Sequence, residues 1–231
     1  MTANAISSPS LHPSRAEVLT QLRVTRIVPV IVIDDPADAV PLATALSDGG
    51  LPCAEITFRT AGALEALRRI RDERPAMLAG AGTVLTPKQA ADARAAGAQF
   101  VVAPGFSPAV VDYCVEHDIP VFPGVCTPTE IEAAVERGLD VLKFFPAEPM
   151  GGINFLKAIA APYVGVKFMP TGGVNAANVM SYLAFNRVVA CGGSWMAPSD
   201  WIAAKQFDRV RAEAASAVAA TREPAPAGAT R

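Results

Sequence analysis

The sequence predicts an α/β fold: one (β/α)8 TIM barrel, a single domain with an N-terminal helix. Three observations carry that prediction. Short apolar runs recur roughly every 20 to 26 residues, eight of them in order. Each interval between them holds a stretch of helical periodicity with its own start and stop signals. The length, 231 residues, is what one barrel of eight strand–helix units fills. Alternating strands and helices can also build an open doubly wound sheet, but eight units in this length favour closure.

Residues 1–13 are rich in small residues, serine and proline and read as a mobile tail. The domain spans 14–220 and opens with the N-terminal helix. The first strand is IVPVIVI from Ile27, and DDPADAVPLATALSDGG after it reads as a helix that starts on Asp-Pro and stops on glycine. The second strand is CAEITF from Cys53, followed by the helical TAGALEALRRIRDE, and the third is MLAGAG from Met77, followed by TPKQAADARAAGA. FVVAPG from Phe100 and VFPGV from Val121 are the fourth and fifth, and TPTEIEAAVERG supplies the next helix. VLKFFP from Val141, VKFMPTGG from Val166 and VVACGG from Val188 complete the eight. Residues 221–231, again small and proline-rich, read as a second mobile tail.

Composition narrows the function. Apolar residues make up 51% of the chain and charged residues 18%, enough for a sizeable core and far from a disordered composition. A net charge of −2 without any basic run argues against nucleic acid as a partner. Cys53, Cys114, Cys126 and Cys191 are widely spread and the only histidines are His12 and His117, so neither a metal site nor a disulfide framework is expected. The first residues lack the basic and apolar regions of a secretory signal, and no run of about 20 apolar residues escapes Gly, Pro or charge. A cytoplasmic protein without membrane contact is the expectation.

In a barrel the chemistry sits at the C-terminal ends of the strands, and the unusual residues fall there. Lys143 interrupts the apolar Val141–Pro146 run, on the same face as Val141 and Phe145. If that face looks inward the amine is buried, which favours the neutral, nucleophilic form able to attack a ketone. Alternation in the second strand puts Glu55, Thr57 and Arg59 on one face, so a carboxylate and a guanidinium are expected in the same interior. A pair that only balances charge inside the barrel is the bland alternative; three ionisable groups at strand ends argue for a site. Thr83 offers a hydroxyl after the small residues of the third strand. Thr171-Gly172-Gly173 and Gly192-Gly193-Ser194 end the last two strands, each ahead of a segment that could begin a helix, where backbone N–H groups form the usual phosphate cradle of such barrels. Pro104 shapes the rim and Phe145 floors the pocket, with packing or turn roles equally open for both. Lys88 and Lys157 fall in helix patterns, Lys205 in the C-terminal helix, and Lys167 at the inactive end of its strand.

Taken together, VPVIVI, EITFRT, GAGTVLTP, PGFSP, PGVCTP, KFFPAE, PTGGV and GGSW resemble the 2-keto-3-deoxy-6-phosphogluconate (KDPG/KHG) aldolases from about Ile27 to the C-terminal helix. The resemblance implies a cofactor-free, metal-independent class I aldolase, a homotrimer, acting on a phosphorylated keto acid. It makes Lys143 the Schiff-base residue and Glu55 the general acid/base. Arg59 and Thr83 would hold the pyruvate end, and Gly172, Gly173, Gly192, Gly193 and Ser194 the phosphate, with Thr171 and Ser194 also at the sugar hydroxyls. The related galactonate enzymes tend to carry Arg in the first strand where this chain has Val32, which favours the gluconate epimer. Two competing readings keep the barrel: a cofactor-free phosphosugar isomerase or epimerase, which needs no imine, and a silent phosphate-binding module, which would not need Lys143 or Glu55.

Overall fold

The computed structural model describes residues 13–222. Helix α1 (Arg15–Thr25) leads into β1 (Ile27–Ile31), a 3-10 turn at Pro36–Asp38 and α2 (Ala39–Asp48). Then come β2 (Cys53–Thr57), α3 (Ala63–Glu73), β3 (Leu78–Gly82), α4 (Pro87–Ala95), β4 (Val101–Val102) and α5 (Pro108–Glu116). The middle of the chain supplies β5 (Val121–Phe122), β6 (Gly124–Val125), α6 (Pro128–Val135), β7 (Val141–Phe144) and α7 (Gly152–Ala160). It ends in β8 (Lys167–Pro170), α8 (Val179–Leu183), β9 (Cys191–Gly193), α9 (Ser199–Ala203) and α10 (Phe207–Arg222).

Helix starts follow from local chemistry. Ser14 and Glu17 close a capping box at α1, Thr127 and Glu130 another at α6, and the Thr86 hydroxyl accepts from Gln89 N–H at α4. At α4 and α6 a proline follows the cap, where its missing N–H leaves no intrahelical bond unmade.

All strand pairs are parallel. One ladder runs β5-β4-β3-β2-β1-β9 and the other β6-β7-β8. The predicted fifth strand is therefore two, β5 and β6, split at Pro123, which has no N–H to give to a ladder. Single parallel bridges, Phe168 with Val188 and Thr171 with Gly192, join the β8 region to the chain around β9. The result is a curled sheet of parallel strands backed by helices.

Alternation sorts the buried apolar residues into two clusters. Ile31, Ile56, Ala81, Val101, Leu142, Phe144 and Phe168 face the helices. Val28, Cys53, Leu78, Phe100, Phe122, Val141 and Met169 face the other way and meet Val18, Leu19 and Leu22 of α1, so this predicted helix packs against the inward face of the sheet. Among the described residues no helix is long and apolar enough to cross a membrane.

The C-terminal boundary differs by two residues from the predicted one. Thr221 and Arg222 belong to α10, because Thr221 is buried and its carbonyl accepts from Arg26 Nη1 at 2.6 Å. The rest of both predicted tails, 1–12 and 223–231, lies outside the described residues.

Helix α10 packs on α2 at Gly49, where an added Cβ would lie 2.6 Å from Ala214 Cβ and 2.7 Å from the Arg211 carbonyl. Both obstacles are rigid. Gly49→Ala should therefore cost about 1–3 kcal/mol, the usual cost of overpacking, read as a lower urea midpoint with an unchanged slope; an unchanged midpoint would mean that α2 and α10 shift apart freely.

Candidate active site

Strand β7 is buried along its whole length, and Lys143 is its only polar side chain. Its neighbour in sequence, Leu142, faces the helices, while Val141 lies in the inward cluster, so Lys143 points inward with Val141 as the period of two requires. Strand β2 brings Glu55 to the same interior between Cys53 and Thr57, opposite in face to Ala54 and Ile56. Lys143 Nζ lies 3.4 Å from Glu55 Oε1, with the side chains only 6% and 3% exposed.

That spacing matters chemically. A tight ammonium–carboxylate hydrogen bond closes to about 2.7–2.9 Å, so this contact is long for a purely structural ion pair. It lies just beyond the reach of about 2.6–3.2 Å for direct proton transfer, so a side-chain shift of a few tenths of an ångström brings the groups within it. The Phe145 ring centroid lies 5.1 Å from the amine.

Space for the pair comes from residues without side chains. Gly82 is in register with Thr57, and a Cβ on it would fall 2.2 Å from Glu55 Oε1. Gly124 is in register with Lys143, and a Cβ there would meet the Pro104 carbonyl at 2.1 Å. Pro104 thus bears on the site through its backbone, closing over β6.

Arg59 departs from the expectation. Strand β2 ends at Thr57; Phe58 N–H donates to the Gly82 carbonyl and Arg59 N–H turns back to Thr57, so alternation stops before Arg59. The guanidinium is not in the interior with Lys143. It lies exposed, with Nε donating to Thr83 Oγ1 at 3.2 Å. Thr83 itself has φ +56°, a left-handed conformation that a β-branched residue rarely adopts. The two residues expected to act together are adjacent, at the strand ends beside Gly82.

The glycine-rich segments divide into two kinds. Gly172 and Gly173 have φ +95° and +83°, left-handed values that glycine adopts without strain. Gly192 and Gly193 are instead buried in β9, with Thr171 Oγ1 lying 2.4 Å from where a Gly192 Cβ would be and the Trp195 ring 1.9 Å from a Gly193 Cβ. Ser194 follows, exposed. A helix follows each pair, but neither pair opens it directly. Helices α8 and α9 begin only at Val179 and Ser199, because Asn175 and Asn178 first form a side-chain-bonded turn and Ala197 N–H turns back to Ser194.

Two neighbours of the pair drew no notice in the sequence. Val30 is in register with Glu55 and Met169 with Lys143, both at positions that the period of two could have flagged but without reactive groups to draw notice. Thr57, buried on the Glu55 face, donates its hydroxyl to the Ile31 carbonyl at 2.7 Å. The remaining lysines lie elsewhere: Lys88 pairs with Asp92 on α4, Lys167 is exposed at the start of β8, and Lys205 lies between α9 and α10 rather than in the last helix.

Residues 18–213 match the family described as KDPG and KHG aldolase. The chain is 52% identical over 195 residues to a 2-dehydro-3-deoxy-phosphogluconate aldolase of Treponema pallidum, a match covering 84% of this chain and 93% of the relative. Its structure resembles that of a KDPG aldolase from Legionella pneumophila with pyruvate captured at low pH as a covalent carbinolamine intermediate. The TM-score is 0.84 and the identity 38%, over 87% of this chain and 97% of the other. A Zymomonas mobilis 2-keto-3-deoxy-6-phosphogluconate aldolase with 3-phosphoglycerate matches with TM-score 0.82 and 37% identity, over 89% and 97%.

The four cysteines are free, and burial pushes the thiols of Cys53 and Cys114 up to about 12 and raises that of Cys191 as well. Cys126 is only partly buried; burial first and the Glu130 carboxylate second raise its thiol. A raised thiol is less ionised at a given pH and so alkylates more slowly. Iodoacetamide at pH 8 should add one carbamidomethyl group to the native protein, at Cys126; rapid labelling of Cys53 or Cys191 without denaturant would show that the core opens.

Proposed function

The chain belongs to the KDPG and KHG aldolase family, and we propose that it cleaves 2-dehydro-3-deoxy-6-phospho-D-gluconate to pyruvate and D-glyceraldehyde 3-phosphate through a Schiff base on Lys143. The observation that carries this reading is the buried Lys143 amine held 3.4 Å from the Glu55 carboxylate. Only a lysine of this kind explains the covalent step; an isomerase would not need it. The pyruvate carbinolamine in the Legionella relative is the first species such an amine forms.

The amine nitrogen attacks C2 of the substrate, the carbonyl oxygen leaves as water after protonation, and a protonated imine remains. Glu55 takes the C4 hydroxyl proton; the C3–C4 bonding pair moves into the imine, giving an enamine and releasing the aldehyde. Glu55 then returns a proton to C3, and hydrolysis frees pyruvate and Lys143. Arg59 and Thr83 receive the substrate carboxylate at the rim, where their mutual hydrogen bond fixes the hydroxyl and leaves guanidinium N–H groups free to form charge-assisted bonds. The left-handed turn of Gly172 and Gly173 suits the phosphate, with Ser194, Gly192 and Gly193 beside it and Thr171 toward the sugar hydroxyls. The same steps apply to 4-hydroxy-2-oxoglutarate, which lacks the phosphate. Val32, where galactonate enzymes tend to carry Arg, supports the gluconate epimer.

We infer further that the two ladders are one (β/α)8 barrel. The chain continuity of β5 and β6 across Pro123 and the bridges between the β8 and β9 regions support it. An open edge between β8 and β9 in a crystal structure would overturn that closure.

Incubation with pyruvate and borohydride should leave a reduced pyruvyl adduct that peptide mapping places on Lys143, and Lys143→Ala should form none. An adduct on any other lysine, or a cleaving Lys143→Ala protein, would sink the assignment. The domain, 14–220, is proposed as one protomer of a cytoplasmic homotrimer, in line with its family. Light scattering of the soluble fraction should read three times the 24.0 kDa chain mass, and a stable monomer would refute it.

A further inference from the structure

Two residues outside the assigned site, Glu148 and Tyr182, join the strand loop that carries the lysine to the loop of Gly172 and Gly173. Glu148 N–H donates to the Gly172 carbonyl at 2.9 Å and Ala147 N–H to the Thr171 carbonyl at 2.8 Å. The Glu148 stem lies against Gly173, where a Cβ would meet Glu148 Cβ at 2.5 Å and Cγ at 2.7 Å. On the other side, a Cβ on Gly172 would press on the Phe145 ring and Pro146 Cα at 3.2 and 3.1 Å. The two loops therefore lie close on each other, with the Glu148 stem and the Phe145 ring packed against the two glycines.

What holds Glu148 there is Tyr182 of α8. The phenol is fully buried and donates its hydroxyl to Glu148 Oε1. Burial first, and the carboxylate second, push the Tyr182 phenol above its ordinary range, so it stays protonated and remains a donor. Gly152, at φ +64°, leaves the space beside this contact free of a side chain: a Cβ there would lie 3.2 Å from Glu148 Oε1 and 3.5 Å from the Tyr182 hydroxyl oxygen. A charge-assisted bond whose donor is buried is among the stronger single contacts available to fix a loop.

We propose that Glu148 and Tyr182 are positioning residues that set the distance between Lys143 and the N–H groups of Gly172 and Gly173, and so select a substrate with a phosphate at a fixed reach from its ketone. Lys143 fixes one end of the substrate at C2, and only two residues separate it from Pro146 in the latched loop. A loop of two adjacent left-handed glycines has little stiffness of its own, so the spacing has to come from its support. This inference rests on the aldolase reading of the same site. It makes a demand that a merely structural contact does not: loss of the latch must penalise the phosphorylated six-carbon substrate and spare 4-hydroxy-2-oxoglutarate, which uses Lys143 and Glu55 but has no phosphate to place.

The test compares Tyr182→Phe, Glu148→Ala and Glu148→Gln with the parent protein. Steady-state cleavage of both substrates is measured, together with backbone amide exchange in the 171–174 segment. In Tyr182→Phe and Glu148→Ala, KM for the phosphorylated substrate should rise about tenfold with kcat within about threefold, while both constants for 4-hydroxy-2-oxoglutarate and the rate of pyruvate trapping stay unchanged. Glu148→Gln, which keeps an acceptor for the phenol, should stay close to the parent. Exchange at 171–174 should quicken in the first two variants only. Unchanged exchange and unchanged KM in Tyr182→Phe would overturn the proposal, as would equal losses on both substrates. Should the parent protein cleave neither substrate while exchange still responds to the latch, the aldolase reading fails and the selection role falls with it, leaving the contact itself demonstrated.

Discussion

The structure is organised around one costly contact, an amine and a carboxylate buried side by side at the C-terminal ends of β7 and β2. Removing each ion from water costs several kcal/mol, and the attraction between the two repays this in full only when the geometry is tight. Here the groups are 3.4 Å apart and the contact is not tight. The fold thus holds a reactive pair at some expense to its stability, and the apolar layers beneath have to carry that expense. Phe100, Phe122, Leu78 and Val141 fill the inward space below the pair, and α1 adds Val18, Leu19 and Leu22.

Keeping such a pair accessible also requires space beside it, and the chain makes that space by leaving out side chains. Gly82 clears Glu55 and Gly124 admits the Pro104 carbonyl next to the Lys143 register position. These glycines answer a different need from Gly172 and Gly173. The first two sit in strands, where a glycine costs pairing strength and gains close approach; the second two adopt left-handed backbone and form a turn. A sequence shows both kinds as the same letter, and Gly192 and Gly193 are of the strand kind, buried in β9 against Thr171 and Trp195.

Much of the rest was legible. The period of two placed Lys143, Glu55 and Val141 on the inward face, because parallel strands covered on both sides leave no other place for an isolated charge among apolar residues. Thr-Pro marked the starts of α4 and α6, since a capping hydroxyl and a proline at the first helical position each satisfy a definite backbone requirement. Arg59 was misread for a reason of the same physical kind: alternation holds only while the strand continues, and a turn two residues earlier moved the guanidinium to the rim. The latch of Glu148 and Tyr182 had no sequence signal at all. Its partners are 34 residues apart, and nothing local distinguishes a buried tyrosine that holds a carboxylate from one that fills a core.

Thr83 shows how the rim relates to the buried pair. A threonine held at φ +56° costs about 1–3 kcal/mol relative to an unstrained residue, and glycine would remove that strain. Glycine would also remove the hydroxyl that accepts from Arg59, freeing a long exposed side chain whose orientation rests on this bond. Strain and hydroxyl are therefore linked: the turn that carries Phe58 and Arg59 away from β2 is pinned to Gly82 by the Phe58 N–H, and Thr83, the next residue, must turn back to meet the guanidinium. Stability is given up twice in this site, in desolvated charge at its floor and in backbone strain at its rim. The two meet at the C-terminal end of β3, where Gly82 lies beside Glu55 and Thr83, the residue after the strand, accepts from Arg59. Adjacent residues 82 and 83 thus touch both the buried Glu55 carboxylate and the exposed Arg59 guanidinium.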